Sequence, residues 1–231
     1  MNRNAAVLIA CTIFTIVSSS SGGVFTPHMS LTIEGGATRS FLQTDSQMTL
    51  FFAPTSGVNK PIRPAFGLEL NLTLGNYLGI ASGVGYRSFG QSTQPTTVLL
   101  RNDIFEHDFK SEFSFDYFTV PLIIKGGIHK SFFSIFLRFG IQPSLLIDKK
   151  AIWIIDGNTL SQGNNRIPNV EISWWDIPLH FGGEAGVHIG KNGFFIVGQY
   201  LYGFHDIASG ISGRVFNRSY GATLQYRRDL F

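Results

Sequence analysis

Short runs in which apolar and polar side chains alternate recur along the chain, and they come in pairs. The clearest covers 66–74: Phe66, Leu68, Leu70, Leu72 and Leu74 fall on one phase, Glu69, Asn71 and Thr73 on the other. A strand turns successive side chains to opposite faces, so this segment has one apolar and one polar face. Eight such segments are predicted, over about 29–39, 66–74, 78–89, 115–128, 132–146, 172–189, 194–204 and 218–230. In the fifth, Phe133, Ile135, Leu137, Phe139 and Ile141 oppose Ser134, Arg138 and Gln142. In the sixth, Trp175, Ile177, Leu179 and Phe181 oppose Asp176, His180, Glu184 and His188.

The connections alternate in length. Tight turns are expected at Gly75-Asn76-Tyr77, His129-Lys130-Ser131 and Gly190-Lys191-Asn192-Gly193, where Gly, Asn and Ser suit hairpins. Longer loops are expected at 40–63, 90–112, 147–171 and 205–217. In a soluble barrel the apolar face would point inward. Here the polar phases carry charge of both signs, which suits the inverse arrangement of a barrel whose solvent is lipid. The expected fold is all-β: an eight-stranded antiparallel transmembrane barrel, an up-and-down meander with short periplasmic turns and longer extracellular loops. Closure follows from backbone chemistry, because an open sheet edge in lipid leaves N–H and C=O groups unpaired. An even strand count places both termini on the side of the short turns.

Composition agrees. Charged residues are 14% of the 231, below the roughly 25% usual in soluble domains, while the chain holds 22 Phe and 26 Gly. The net charge of +3 is too small to argue for nucleic acid. Residues 1–23 read as a signal peptide: Arg3, an apolar stretch from Ala5 to Val17, then small residues suited to cleavage. The stretch is shorter than the about 20 residues a spanning helix needs. Residues 24–231 form the barrel domain. Leu8-Ile9-Ala10-Cys11 looks like a lipoprotein cleavage box, but the apolar core before Cys11 is short and continues past it, so lipidation is not expected. Without Cys11 the mature chain has no thiol chemistry.

The inward phases collect Glu34, Glu69, Asp176, Glu184 and Asp229 with Arg87, Lys125, Arg138 and Arg227. Eight strands enclose an interior just wide enough for side chains to fill it, so these charges are expected to pair into a plug. A polar path for an ion or small solute is the other reading.

A motif also repeats. Tyr117-Phe118-Thr119-Val120-Pro121-Leu122-Ile123-Ile124-Lys125 is echoed by Trp174-Trp175-Asp176-Ile177-Pro178-Leu179-His180, with both prolines inward. Proline removes a ladder donor, so a bulge or bend is expected at each, with the aromatics in a girdle at the outer membrane surface. On this motif, its signal-like start and its terminal Phe231, the chain resembles the PorT-like outer-membrane β-barrel family of Bacteroidetes-type bacteria. The resemblance implies an integral outer-membrane protein, Phe231 as insertion signal, and for some members a link to protein secretion. It implies no catalytic residues and no cofactor. Arg227 and Asp229 share the phase of Phe231, where such barrels usually carry apolar residues.

Enzymatic candidates are thin. His205-Asp206 and His107-Asp108 are adjacent pairs, and neighbours on a strand point apart. His180 and His188 lie about 26 Å apart at the usual strand rise, too far to share a metal. Phe105, Phe109, Phe113 and Phe115 form an aromatic tract that either meets lipopolysaccharide or a partner, or packs the loop and extends the strand. The expected function is non-enzymatic: envelope integrity, surface interaction or a secretion or assembly complex. The alternative is a narrow porin-like channel, and a soluble lipocalin-type barrel is a third class. Expected partners are outer-membrane lipid and lipopolysaccharide, the assembly machinery during insertion, and envelope or secretion-complex proteins, with no nucleic acid.

Overall fold

The computed structural model describes residues 27–44, 58–93, 96–99, 106–163, 171–209 and 214–230. Residues 1–26, which include the expected signal peptide and Cys11, lie outside them, as do Phe105, the terminal Phe231 and the side chains of His107, Asp108 and Phe109.

Eight antiparallel staves close a barrel. The first is Pro27–Thr44. The second is Ile62–Leu74, continued by Val58–Asn59, and the third is Leu78–Thr93. The fourth comprises Glu106–Thr119 and Leu122–His129; Thr96–Leu99 pairs on its upper half. The fifth comprises Phe133–Ile141 and Ser144–Ile155, folding back as Asn158–Gly163. The sixth comprises Trp175–Asp176 and Leu179–Ile189. The seventh is Asn192–Tyr202 and the eighth Val215–Asp229. Pairing of the first with the eighth, from Ser30 opposite Asp229 to Thr44 opposite Val215, closes the circle. No helix among the described residues is long and apolar enough to cross a membrane; this chain crosses with strands.

The alternation holds in three dimensions. Leu137, Leu224, Ile196 and Ile124 are exposed on the outer wall, Leu137 at 74%, while Glu69, Arg138 and Glu184 are buried inside. Grease outside and charge inside excludes the soluble lipocalin-type barrel, whose apolar face would line a cavity. The seventh and sixth staves meet across a two-residue turn, Gly190-Lys191, in which Gly190 takes φ 62°. That left-handed conformation suits glycine.

Three features depart from the alternation pattern. The staves are taller than expected: the first has 18 residues and the third 16, against about ten for a tilted crossing. Much of what reads as loop over 40–63, 90–112 and 147–171 is therefore wall, including a hairpin turning at Asp156 and Gly157. Outward positions there, among them Gln43, Lys110 and Glu112, are polar instead of apolar, so hydropathy alone does not mark these stretches as strand.

Second, the prolines make no bulge. Three of them, Pro121, Pro143 and Pro178, lie side by side on the fourth, fifth and sixth staves. The Val120 amide donates to the Pro143 carbonyl at 2.8 Å and the Gln142 amide to the Pro178 carbonyl at 2.9 Å. Register is unchanged across this seam: Leu122 pairs with Ile141 below it and Thr119 with Ser144 above it. The missing donors interrupt the ladder without adding a residue. The bulge lies higher, between Asp116 and Tyr117.

Third, the two motif copies differ. Tyr117 is fully buried inside the barrel and not part of a girdle, whereas Trp174 is 67% exposed. The fourth stave runs straight from Tyr117 to Thr119 and keeps the inward phase. The sixth bends at Ser173-Trp174 before Trp175–Asp176, which turns Trp174 outward.

The lumen: a charge lock below and an aromatic cap above

Small inward residues make room for long charged ones in the narrow lower lumen. Gly67 is one such site: a Cβ there would meet Glu34 Oε1 at 2.8 Å. Into this space four staves send cations and three send carboxylates.

Glu184, from the sixth stave, is the hub. Its Oε1 accepts from Lys125 Nζ at 3.1 Å and from Arg227 Nη2 at 3.0 Å; its Oε2 accepts from Arg138 Nη1 at 3.0 Å. Arg138 Nη2 also reaches Glu69 Oε1 at 2.6 Å. Arg87 lies 3.6 Å from Glu34 Oε1 and donates to Gln199 Oε1 at 2.9 Å. Neutral groups complete the web. Lys125 donates to Asn71 Oδ1, Asn71 Nδ2 to Thr32 Oγ1 at 2.8 Å, and Gln225 Nε2 to Glu34 Oε2 at 3.1 Å. The Arg227 guanidinium also lies over the Phe195 ring at 4.0 Å. Three carboxylates thus face four cations across the barrel. Each charge is out of water, where an unpaired one would be very costly.

Seven of the nine inward-phase charges, Glu34, Glu69, Arg87, Lys125, Arg138, Glu184 and Arg227, meet in this web. Asp176 is inward and buried but belongs to a higher layer: its Oδ2 accepts from Asn217 Nδ2 at 2.9 Å, and Asn217 also contacts the Tyr117 hydroxyl at 3.3 Å. Asp229 is only half-buried at the periplasmic rim, where its amide donates to the Lys191 carbonyl. Phase assigns a face; height along a tilted stave decides the layer, and alternation carries no height.

Above the seam the interior turns apolar. Phe89, Phe113, Phe115, Tyr117, Leu201 and Ile207 form a buried cluster, with Phe89 edge-on to Tyr117 at 5.4 Å. Phe113 and Phe115, read as part of a loop tract, are wall residues turned inward. Between cap and lock lie polar atoms without partners among the described residues, including both ring nitrogens of His180 and both amide atoms of Gln142.

At the periplasmic mouth, Ser134 Oγ lies 2.7 Å from His129 Nδ1 and 2.8 Å from His188 Nε2. This cluster went unread because His129 falls in a predicted turn, whereas it ends the strand Leu122–His129 on the inward phase of Lys125. His205 and Asp206 form no dyad. His205 stacks on Trp175 at 4.0 Å, and Asp206 Oδ1 accepts from the amides of Ala208 and Val215. Among the described residues no group of three His, Cys, Asp or Glu is placed to hold a metal ion.

A closed antiparallel barrel with an apolar outer wall and a charge-filled interior defines an integral outer-membrane β-barrel protein. The chain belongs to the outer membrane protein beta-barrel domain family, whose model matches residues 28–209, and its place is the outer membrane. Among curated proteins no match is found. Similar solved structures include Ail, the attachment invasion locus protein of Yersinia pestis (13% identity, 86% of this chain and 97% of that one, TM-score 0.40). OprG of Pseudomonas aeruginosa is similar at 12% identity, over 86% and 95%, with TM-score 0.42. The outer membrane protease OmpT of Escherichia coli is similar at 10% identity, over 92% and 100%, with TM-score 0.36. These scores are low, and the architecture stands on this chain's own strand pairing and family.

Proposed function

We propose that this protein is a non-enzymatic barrel with a plugged lumen that works through its outer surface, serving envelope integrity, surface interaction or a secretion or assembly complex. The observation that carries this reading is the Glu184 hub, which draws cations from the fourth, fifth and eighth staves onto one carboxylate. A lumen tied across in this way, under an aromatic cap, has little room for solute. Partners on this reading are outer-membrane lipid and lipopolysaccharide around the wall, the assembly machinery during insertion, and envelope or secretion-complex proteins at the tall rim. The PorT-like resemblance supports the last of these.

The test is single-channel recording of the refolded protein in a planar bilayer, with heat-dependent gel migration as the check on folding. A folded but silent barrel is expected. Steady, reproducible conductance steps would overturn the plug and favour a narrow channel for ions or small solutes. The unpartnered atoms of His180 and Gln142 in the mid-lumen are the observation that favours that second reading.

A further inference from the structure

We infer that the outer wall of the first, second and eighth staves carries a binding site for the phosphate of an outer-leaflet glycolipid, built on Arg39, Lys60 and Arg218. This rests on the reading that the wall meets lipopolysaccharide, and it names where and through which group.

Arg39 stands on the outward phase of the first stave, above Leu31, Ile33, Gly35 and Ala37. From Leu31 to Arg39 is eight residues, about 26 Å along the strand and roughly 20 Å in depth at a tilt near 40°. Arg39 therefore lies near the outer edge of the apolar band, where phosphates of the outer leaflet sit. It is exposed, and it pairs across the sheet with Tyr220 on the eighth stave, itself opposite Tyr200 on the seventh. These tyrosines mark the interfacial belt.

Lys60 joins it from the second stave. Its ammonium lies 4.2 Å from the centre of the Phe41 ring and 5.8 Å from that of Tyr220. Arg218 lies behind them, only 4% exposed, with its guanidinium carbon over the Tyr202 ring at 3.5 Å and Nε donating to Gln43 Oε1 at 3.0 Å. None of these three cations forms an ion pair with a described carboxylate. Arg63 on the same stave, by contrast, is paired with Glu112 at 3.4 Å. Asp176 acts on Arg218 electrostatically, but from the lumen side of the wall. Aromatic faces hold Lys60 and Arg218 in place and leave their charge uncancelled, and Arg39 stands exposed beside them. Three such charges beside a lipid-facing wall call for an anion delivered by the membrane, and the phosphates of a lipid A-type glycolipid supply it.

The test uses the full-length chain refolded in uncharged micelles and a fluorescent diphosphorylated lipid A, with its dephosphorylated form as comparison. The variant R39Q/K60Q changes exposed or half-exposed residues only, and K130Q/K191Q on the periplasmic turns is the charge-matched control. Phosphate-dependent binding that falls about thirtyfold in R39Q/K60Q and stays near wild type in the control is expected. Equal binding of the dephosphorylated lipid, or equal loss in both variants, overturns the site while leaving the envelope reading intact. Protein that fails to show heat-modifiable migration in any lipid overturns both.

Discussion

The two ends of one lumen solve the same filling problem with opposite chemistry. Below the proline seam the space is filled by ions that satisfy one another; above it, by rings that need no partner. Both exclude water, but their failure modes differ. Removing one carboxylate from the lower half strands the cations it held, whereas trimming the upper half removes only contact and a few weak polar links. The lower half is specified by pairing and the upper by shape.

The sharpest way to break the comparison is Glu184→Ala. It leaves Lys125, Arg227 and one arm of Arg138 without their shared acceptor. Breaking a buried pair costs about 3–5 kcal/mol. Urea unfolding in lipid vesicles should show a loss in that range. Single-channel recording of the surviving folded fraction should show conductance steps absent from wild type. A variant as stable as the parent would mean that the lower half is packed rather than locked.

Next comes the wall that gives inside and outside their meaning. Leu137→Arg places a cation on the lipid face of the fifth stave, directly across the sheet from Gly183 and one residue from Arg138 in the lock. A cost of about 2–4 kcal/mol is expected near mid-membrane, with less at the interfaces. The same substitution at Leu70, on the second stave, should behave alike. Tolerated arginines that react freely with water-soluble reagents would reverse the two faces.

Glu69→Gln should do less than Glu184→Ala. Arg138 keeps its 3.0 Å bond to Glu184 and loses only the charge of its 2.6 Å partner. A charge-assisted hydrogen bond is worth roughly 1.5–3 kcal/mol, and the amide retains part of it. A double-mutant cycle of Glu69→Gln with Arg138→Gln reads the coupling directly. Coupling near zero would detach Glu69 from the lock.

How much of this was legible in the sequence divides at the same seam. Alternation fixed the faces of Glu69, Arg138 and Glu184, because strand period is two and every lower stave is bounded by lipid on its other side. The Glu184 hub itself was not legible: Lys125 and Arg138 stand opposite each other on neighbouring staves and Arg227 reaches in from the eighth, and alternation does not carry the register and stagger that bring all three level with Glu184. The upper half was legible in part: Phe89, Phe115, Tyr117 and Leu201 fall in predicted strands, whereas Ile207 falls in a predicted loop and Phe113 outside the predicted strands, where no apolar lipid-facing phase runs beside them. The prolines were read for the bend that proline usually marks, yet three of them aligned on adjacent staves interrupt the ladder together and leave the register whole. Asp176 shows the remaining gap, since its face was right and its layer was not.

The smallest effect is the finest probe of the border between the two halves. Among the described residues, the Tyr117 hydroxyl is the polar side-chain atom that the aromatic cap turns toward the Asn217–Asp176 pair. Tyr117→Phe keeps the ring edge-on to Phe89 and removes a contact of 3.3 Å. Asn217 keeps its bond to Asp176, so no charge is stranded, and a loss of about 1 kcal/mol is expected. Unfolding should shift by that amount and the bilayer should remain silent. If the cap works by shape, the phenyl ring fills it as well as the phenol. A loss as large as that of Glu184→Ala would instead make Tyr117 a member of a polar network running through the seam, and the two halves would be one.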